Sequence, residues 1–201
     1  EELLFIEQYD EAQAKWVGGK MFPDEASEIS DIEEIYWVEE IMEILGSRIS
    51  RLYDHEERVQ VFADFTKQEP YQEDRASFTF CRELLKLYPY IELRNVAEKI
   101  TRLRLIKDDI EIEQLKEAIR VTNEGILQMM KYAEPEMGEH QIEAYFDFVL
   151  KSNDCDHSFP SIVAGGANAT VLHYSDNNQY VDDNEMVLCD LGASYEYMCA
   201  D

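Results

Sequence analysis

Asp190 and Asp201 are two carboxylates near the end of the chain, each closing a short strand-like run, Met186–Asp190 and Tyr197–Asp201. If these runs pair as a hairpin whose turn centres on Tyr195-Glu196, the two aspartates stand directly opposite each other. Directly opposed Cβ atoms are about 4.5–5.5 Å apart. Two carboxylates that close repel, so one takes a proton or a cation sits between them. A pair of metal ions about 3.5–4 Å apart would be bridged well by such groups. Hard oxygen donors suit manganese or another first-row ion. The bland alternative is an exposed pair of acids at a turn.

His173 adds a possible donor. It lies in Val171-Leu172-His173-Tyr174, which reads as an apolar strand before a polar turn. Such a histidine is either a core or edge residue satisfied by a backbone carbonyl, or a donor that polarises a substrate carbonyl or steadies an oxyanion. His157 lies in a polar loop; His55 and His140 lie among acids and read as surface. The four cysteines form no CxxC pair, which argues against a zinc ribbon or a thioredoxin-like site. Scattered as they are, they read as reduced thiols of a cytoplasmic protein. Cys189 and Cys199, beside the two aspartates, read as small buried hydrophobes more than as nucleophiles.

The elements that must position these residues fall into two units, 1–105 and 106–201. The first alternates strands and helices, an α/β pattern that begins in mid-pattern. Leu3–Ile6, Ile35–Val38 and Val59–Phe62 read as strands. Pro23-Asp24-Glu25 opens a short helix, with proline in the first turn and acids at the positive end of the dipole. Glu39–Leu52 and Phe78–Leu87 are helical, the latter ended by Tyr88-Pro89. In the second unit, Asp108 and Glu111 form a capping box ahead of a helix that stops before Pro135. An amphipathic helix with Ile142, Tyr145, Phe146, Val149 and Leu150 follows. Phe159–Ala164, Ala169–Tyr174, Met186–Asp190 and Ser194–Cys199 then read as strands between Gly- and Asn-rich turns. Helices followed by strands predict an α+β layer.

The 201 residues carry a net charge of −26. A surface that acidic repels phosphate backbones and anionic lipid, so neither nucleic acid nor a membrane is an expected partner. No apolar run reaches the roughly 20 residues a membrane span needs. No signal peptide is visible at the front.

The tail resembles a known family. Phe159-Pro160-Ser161-Ile162-Val163-Ala164-Gly165-Gly166 is followed by Asn168-Ala169-Thr170-Val171-Leu172-His173-Tyr174, by Val187-Leu188-Cys189-Asp190-Leu191-Gly192-Ala193, and by Cys199-Ala200-Asp201. This pattern resembles the Xaa-Pro aminopeptidase (aminopeptidase P) and prolidase family of pita-bread metallopeptidases. Leu103–Lys107 and Ile112–Thr122 are similar to the stretch that opens the same catalytic domain, and Phe62–Thr66 to its amino-terminal domain. The resemblance implies a partial amino-terminal, creatinase-like α/β domain followed by the first part of a pita-bread catalytic domain. It also implies that Asp190 and Asp201 are metal ligands, Asp201 binding both ions, and that His173 assists catalysis without binding metal. The implied cofactor is a pair of divalent ions, manganese first, with cobalt or zinc as alternatives. The implied substrates are peptides with proline in second position, and the implied assembly is a homodimer.

This sequence departs from the family pattern at Met198, where a tyrosine is usual, at Gly166, and at Asn184-Glu185-Met186. The family completes its metal site with one histidine and two glutamates after the second aspartate. The chain is therefore expected to be a fragment, inactive alone and weak in metal binding. The alternatives are prolidase, cutting only dipeptides, and a non-peptidase relative such as a creatinase-like hydrolase or a binding module.

Overall fold

The computed structural model describes residues 2–8, 11–53, 58–66 and 75–201. His55 lies outside the described residues. The chain divides into two compact units, Glu1–Arg104 and Leu105–Asp201.

The first unit runs β1 (Leu3–Ile6), α1 (Glu11–Val17), α2 (Pro23–Ser30), β2 (Glu34–Trp37), α3 (Ile41–Tyr53), β3 (Gln60–Ala63), α4 (Ala76–Leu87), β4 (Glu92–Asn95) and α5 (Ala97–Leu105). β1 pairs with β2 and β3 with β4, both in parallel. Parallel partners need a long crossover. Here α1 and α2 supply one, and α4 supplies the other. α2 starts on Pro23 and ends where Asp31 turns left-handed, its N–H donating to the Ser27 carbonyl at 2.9 Å. Ile49, Val59, Leu84 and Ile91 form a buried cluster. The expected strands and helices of this unit are present, shifted by one or two residues. α1, β4 and α5 were not expected. α5 buries no side chain.

The second unit opens with α6 (Asp109–Tyr132) and α7 (Glu139–Ser152), which pack on each other. The expected capping box is present. The Glu111 N–H donates to Asp108 Oδ1 at 2.8 Å, and the Asp108 N–H donates to Glu111 Oε2 at 3.0 Å. The helices approach closely because position 125 is glycine: a Cβ there would lie 2.3 Å from the Phe146 ring. After them come β5 (Asp156–His157), β6 (Ile162–Gly165), β7 (Val187–Asp190), β8 (Ala193–Tyr195) and β9 (Met198–Cys199). β6 pairs with β7, and β8 lies between β5 and β9, every pair antiparallel. α6 packs against β8 and β9, and α7 against β5 and β6. The core between helices and strands is built from Val121, Ile142, Phe146, Val149, Leu150 and Val163. This is the expected helix-on-antiparallel-sheet layer. Among the described residues, no helix is long and apolar enough to cross a membrane.

Candidate active site

β7 does not pair with the tail. It pairs with β6, which sets Ile162 opposite Asp190 and Gly165 opposite Val187. β6 begins only at Ile162, two residues after Pro160, which has no N–H to give a ladder. The expected strand Phe159–Ala164 is shortened accordingly. Ser194–Cys199 is not one strand either. The chain reverses at Glu196 and Tyr197, whose φ values are 47° and 66°. Two successive left-handed residues make the tight turn that fits the twist of a hairpin. Ser194 therefore faces Cys199, and Tyr195 faces Met198.

That register corrects the expected opposition of the two aspartates. The Ala200 N–H donates to the Ala193 carbonyl at 2.9 Å. Carried one step further, the register sets Asp201 across from Gly192, two residues past Asp190. Asp190 and Asp201 are both exposed and line the same two cavities. The larger, about 420 Å³, is also lined by Phe159, Pro160, Ser161, Ile162, His173, Tyr174 and Ser175. The smaller, about 220 Å³, includes Thr122, Asn123, Cys189, Leu191 and Ala200.

Two small residues hold this corner together. A Cβ on Gly192 would lie 2.0 Å from the Ala200 carbonyl oxygen and 2.5 Å from Ser158 Oγ, so no larger residue fits without moving the tail. Thr122, buried in α6, donates its hydroxyl to the Ala118 carbonyl at 2.8 Å and accepts from the Ala193 N–H at 2.9 Å. One side chain thus ties the helix to β8.

His173 is not on a strand. The expected run Ala169–Tyr174 starts inside a 3₁₀ turn spanning Gly166–Thr170 and continues as irregular chain. Gly166 has φ of 50°, and the Val171 N–H closes the turn on the Asn168 carbonyl at 2.9 Å. Val171 and Leu172 are 53% and 89% exposed, so their apolar run marks no buried strand. His173 is also exposed, which rules out the core-histidine reading.

The anchor of this segment is Glu139, the first residue of α7, which is completely buried. Its Oε1 accepts from the Gly165 N–H at 2.8 Å and from Asn168 Nδ2 at 3.0 Å. Its Oε2 accepts from the Tyr174 hydroxyl at 2.7 Å and from the Gln179 N–H at 3.0 Å. Burial opposes ionisation, but the bonds from Asn168, Gly165, Gln179 and Tyr174 outweigh it and hold the carboxyl below its ordinary pKa. The Tyr174 phenol is pushed up by its burial and by Glu139. Sequence reasoning missed Glu139. An acid at the start of a helix reads only as a dipole partner, and its donors lie 26 to 40 residues onward.

His157, expected in a loop, sits on the short strand β5. Its Nε2 lies 3.1 Å from Asp147 Oδ1 and its Nδ1 3.1 Å from Ser161 Oγ. It lines a cleft of about 480 Å³ with Glu143, Phe159, Pro160, Ser161, Ser175 and Asn177. Burial and the neighbouring Asp147 push the Glu143 carboxyl up, against a hydrogen bond from Asn177. His140 is exposed on α7, as expected. Cys189 and Cys199 are exposed, which corrects the expectation that both are buried; Cys81 and Cys155 are the buried pair.

Asp190 and Asp201 offer hard oxygen donors of the kind a divalent ion takes. Among the described residues, no group of three or more His, Cys, Asp or Glu side chains is placed to hold an ion. The two carboxylates thus suit part of a metal shell and do not complete one.

Comparisons with known proteins place both units of the chain beside aminopeptidases. Residues 113–201 match the model of metallopeptidase family M24, and residues 1–55 match that of the aminopeptidase P N-terminal domain. Human Xaa-Pro aminopeptidase 3 is 29% identical over 94% of this chain and 36% of its own length. The Xaa-Pro aminopeptidase of Haemophilus influenzae is 27% identical over 99% of this chain and 43% of its own. A structure from Bacillus anthracis described as that of an aminopeptidase P superposes with a TM-score of 0.88 at 38% identity, covering 100% of this chain and 47% of that one. Pseudomonas aeruginosa aminopeptidase PepP superposes with a TM-score of 0.81 at 22% identity, over 96% of this chain and 43% of that one, and supports the pita-bread fold alone. The chain thus spans less than half the length of these relatives. Over both segments the chain is similar to the Xaa-Pro aminopeptidases: an amino-terminal stretch like that of aminopeptidase P leads into a stretch like that of metallopeptidase family M24.

Proposed function

We propose that the whole protein is a dinuclear-metal exopeptidase that hydrolyses the bond between an N-terminal residue and proline. In this reading Asp190 and Asp201 are metal ligands and His173 is a catalytic residue. The observation that carries it is the shared cavity of about 420 Å³, in which both carboxylates and the imidazole meet an apolar wall. Bound at the carboxylates, a pair of divalent ions, manganese first, would supply Lewis-acid activation of water and of the scissile carbonyl. His173 donates a hydrogen bond to the carbonyl oxygen as it gains charge, which is where a fixed donor contributes most. Phe159, Pro160 and Ile162 give the proline ring a surface to pack on. We place the protein in the cytoplasm as a homodimer acting on proline-containing peptides.

The test compares Asp190→Asn, Asp201→Asn and His173→Gln in the whole protein, with manganese binding and hydrolysis of Xaa-Pro peptides measured separately. The expected pattern is loss of binding and turnover in the two aspartate variants. His173→Gln keeps binding and loses turnover by about 10²-fold or more, the scale of a lost oxyanion donor. Unchanged turnover in all three variants refutes the reading. The 201 residues alone are proposed to bind manganese weakly, because two donors leave most of the shell to water. Tight stoichiometric binding in equilibrium dialysis contradicts that.

A further inference from the structure

We propose that Glu139 is the positioning residue for His173: through its four hydrogen bonds it fixes both ends of the segment that presents the imidazole to the cavity. The donors bracket the histidine. Gly165 and Asn168 bind one carboxylate oxygen from the leading side; Tyr174 and Gln179 bind the other from the trailing side. Tyr174 is the residue next to His173 and is buried, while His173 and Ser175 on either side are exposed. Asn168 bonds to both the Tyr174 hydroxyl, at 3.1 Å, and the carboxylate, which closes the set into a ring. The Glu139 N–H also donates to the Gln179 carbonyl at 2.9 Å, so the start of α7 and the end of the segment are locked as one piece.

Between these clamps the segment has no strand pairing of its own. Val171–Tyr174 belongs to no ladder, and Val171 and Leu172 are largely in solvent. The place of His173 is therefore set by its tethered neighbour, without help from packing of its own stretch. A buried carboxylate with four donors is a strong tether, because each bond is charge-assisted and the surroundings exclude competing water. A neutral side chain of the same size would be a poor substitute. In Glu139→Gln the new NH₂ group faces two donors and accepts from neither.

The inference rests on the catalytic reading of His173, but its test does not need activity. The full chain is labelled for histidine ring correlation spectra, and the His173 signal is assigned from His173→Gln. Glu139→Gln is expected to shift or split the His173 ring signal and to remove the downfield position of the Gly165 and Gln179 amide protons. Methyl signals of the core residues Val121 and Val163 stay in place. Tyr174→Phe, which deletes one donor and leaves the charge, is expected to shift the ring signal less. An unmoved His173 ring signal in a folded Glu139→Gln variant overturns the proposal. If Glu139→Gln does not fold, Tyr174→Phe and Asn168→Ala decide: a shifted signal in either supports the proposal, and an unmoved signal in both overturns it. Failure of His173→Gln to lower turnover in the whole protein refutes the catalytic reading alone, since the ring signal still reports whether Glu139 positions the histidine.

Discussion

Asp190 stands across the β6–β7 ladder from Ile162, while Asp201 follows the end of β9 and borders the same two cavities. The two carboxylates come from strands of different ladders that are joined by Leu191-Gly192. Their convergence thus depends on the short link between β7 and β8 and on the hairpin register, with no direct backbone pairing between them.

Gly192 is the point where this link can be broken. A methyl group there overlaps the Ala200 carbonyl and the Ser158 hydroxyl. Gly192→Ala is expected to destabilise the second unit by about 1–3 kcal/mol, the usual cost of overpacking. Urea unfolding followed by Trp-independent far-UV dichroism measures the loss. A variant as stable as the parent would mean that the tail shifts freely and that the approach of Ala200 is not a constraint.

Much of this frame was legible in the sequence. The α6 capping box, the stop before Pro135 and the apolar stripe of α7 are local signals, and each appears where its chemistry puts it. The strand Val187–Asp190 was legible for the same reason. Asp190, Asp201 and His173, singled out by type and spacing, line one cavity, but the expected pairing of the two aspartates is wrong. The hairpin turn needs two left-handed residues, and Glu196-Tyr197 carries no glycine or asparagine to announce it. The apolar run at Val171–Leu172 imitates a strand, and only the distant anchor at Glu139 explains why it is not one. Burial of Glu139 arises from partners in another part of the chain, so no window of sequence around it contains the information.

Thr122 gives a second stability test. Thr122→Val keeps the shape and removes the acceptor for the Ala193 N–H, at a position where both groups are buried. An orphaned buried donor costs about 1–3 kcal/mol. Hydrogen exchange is expected to show the Ala193 amide losing protection first, with Ala200 next, because β8 loosens from α6 before the helices part. Unchanged protection at Ala193 would show that water replaces the hydroxyl without cost.

Glu143 is expected to behave as a mildly destabilising acid. Its folded pKa is raised, first by burial and then by Asp147. Between the ordinary glutamate value and the raised one, the folded state binds more protons than the unfolded state, so stability falls as pH rises through that window. Glu143→Gln keeps an acceptor for Asn177 and removes the charge. It is expected to raise stability at neutral pH by less than about 1 kcal/mol, since the group is partly in water. The gain vanishes below about pH 4, where the parent residue is protonated in both states. A loss of stability at neutral pH would show that the Asn177 bond needs the charged form.

Glu139 has the opposite sign and a larger effect. Burial raises its pKa, the four hydrogen bonds lower it, and the lowering wins. The unfolded carboxyl then takes up its proton at a higher pH than the folded one. Stability from this group is fully present above the ordinary glutamate pKa of about 4.3 and is lost as pH falls through the depressed folded value. Tyr174, the titratable group facing it, stays protonated throughout that range because its own pKa is raised. Glu139→Ala leaves buried donors without an acceptor and is expected to cost about 3–5 kcal/mol at neutral pH. The difference between parent and variant should shrink as the pH is lowered below about 4, because the parent loses its contribution there and the variant has none to lose. Denaturant midpoints collected between neutral and acid pH measure this directly. Parallel curves for the two proteins would mean that folding leaves the Glu139 pKa unshifted, and that the ring around it is held by something other than its charge.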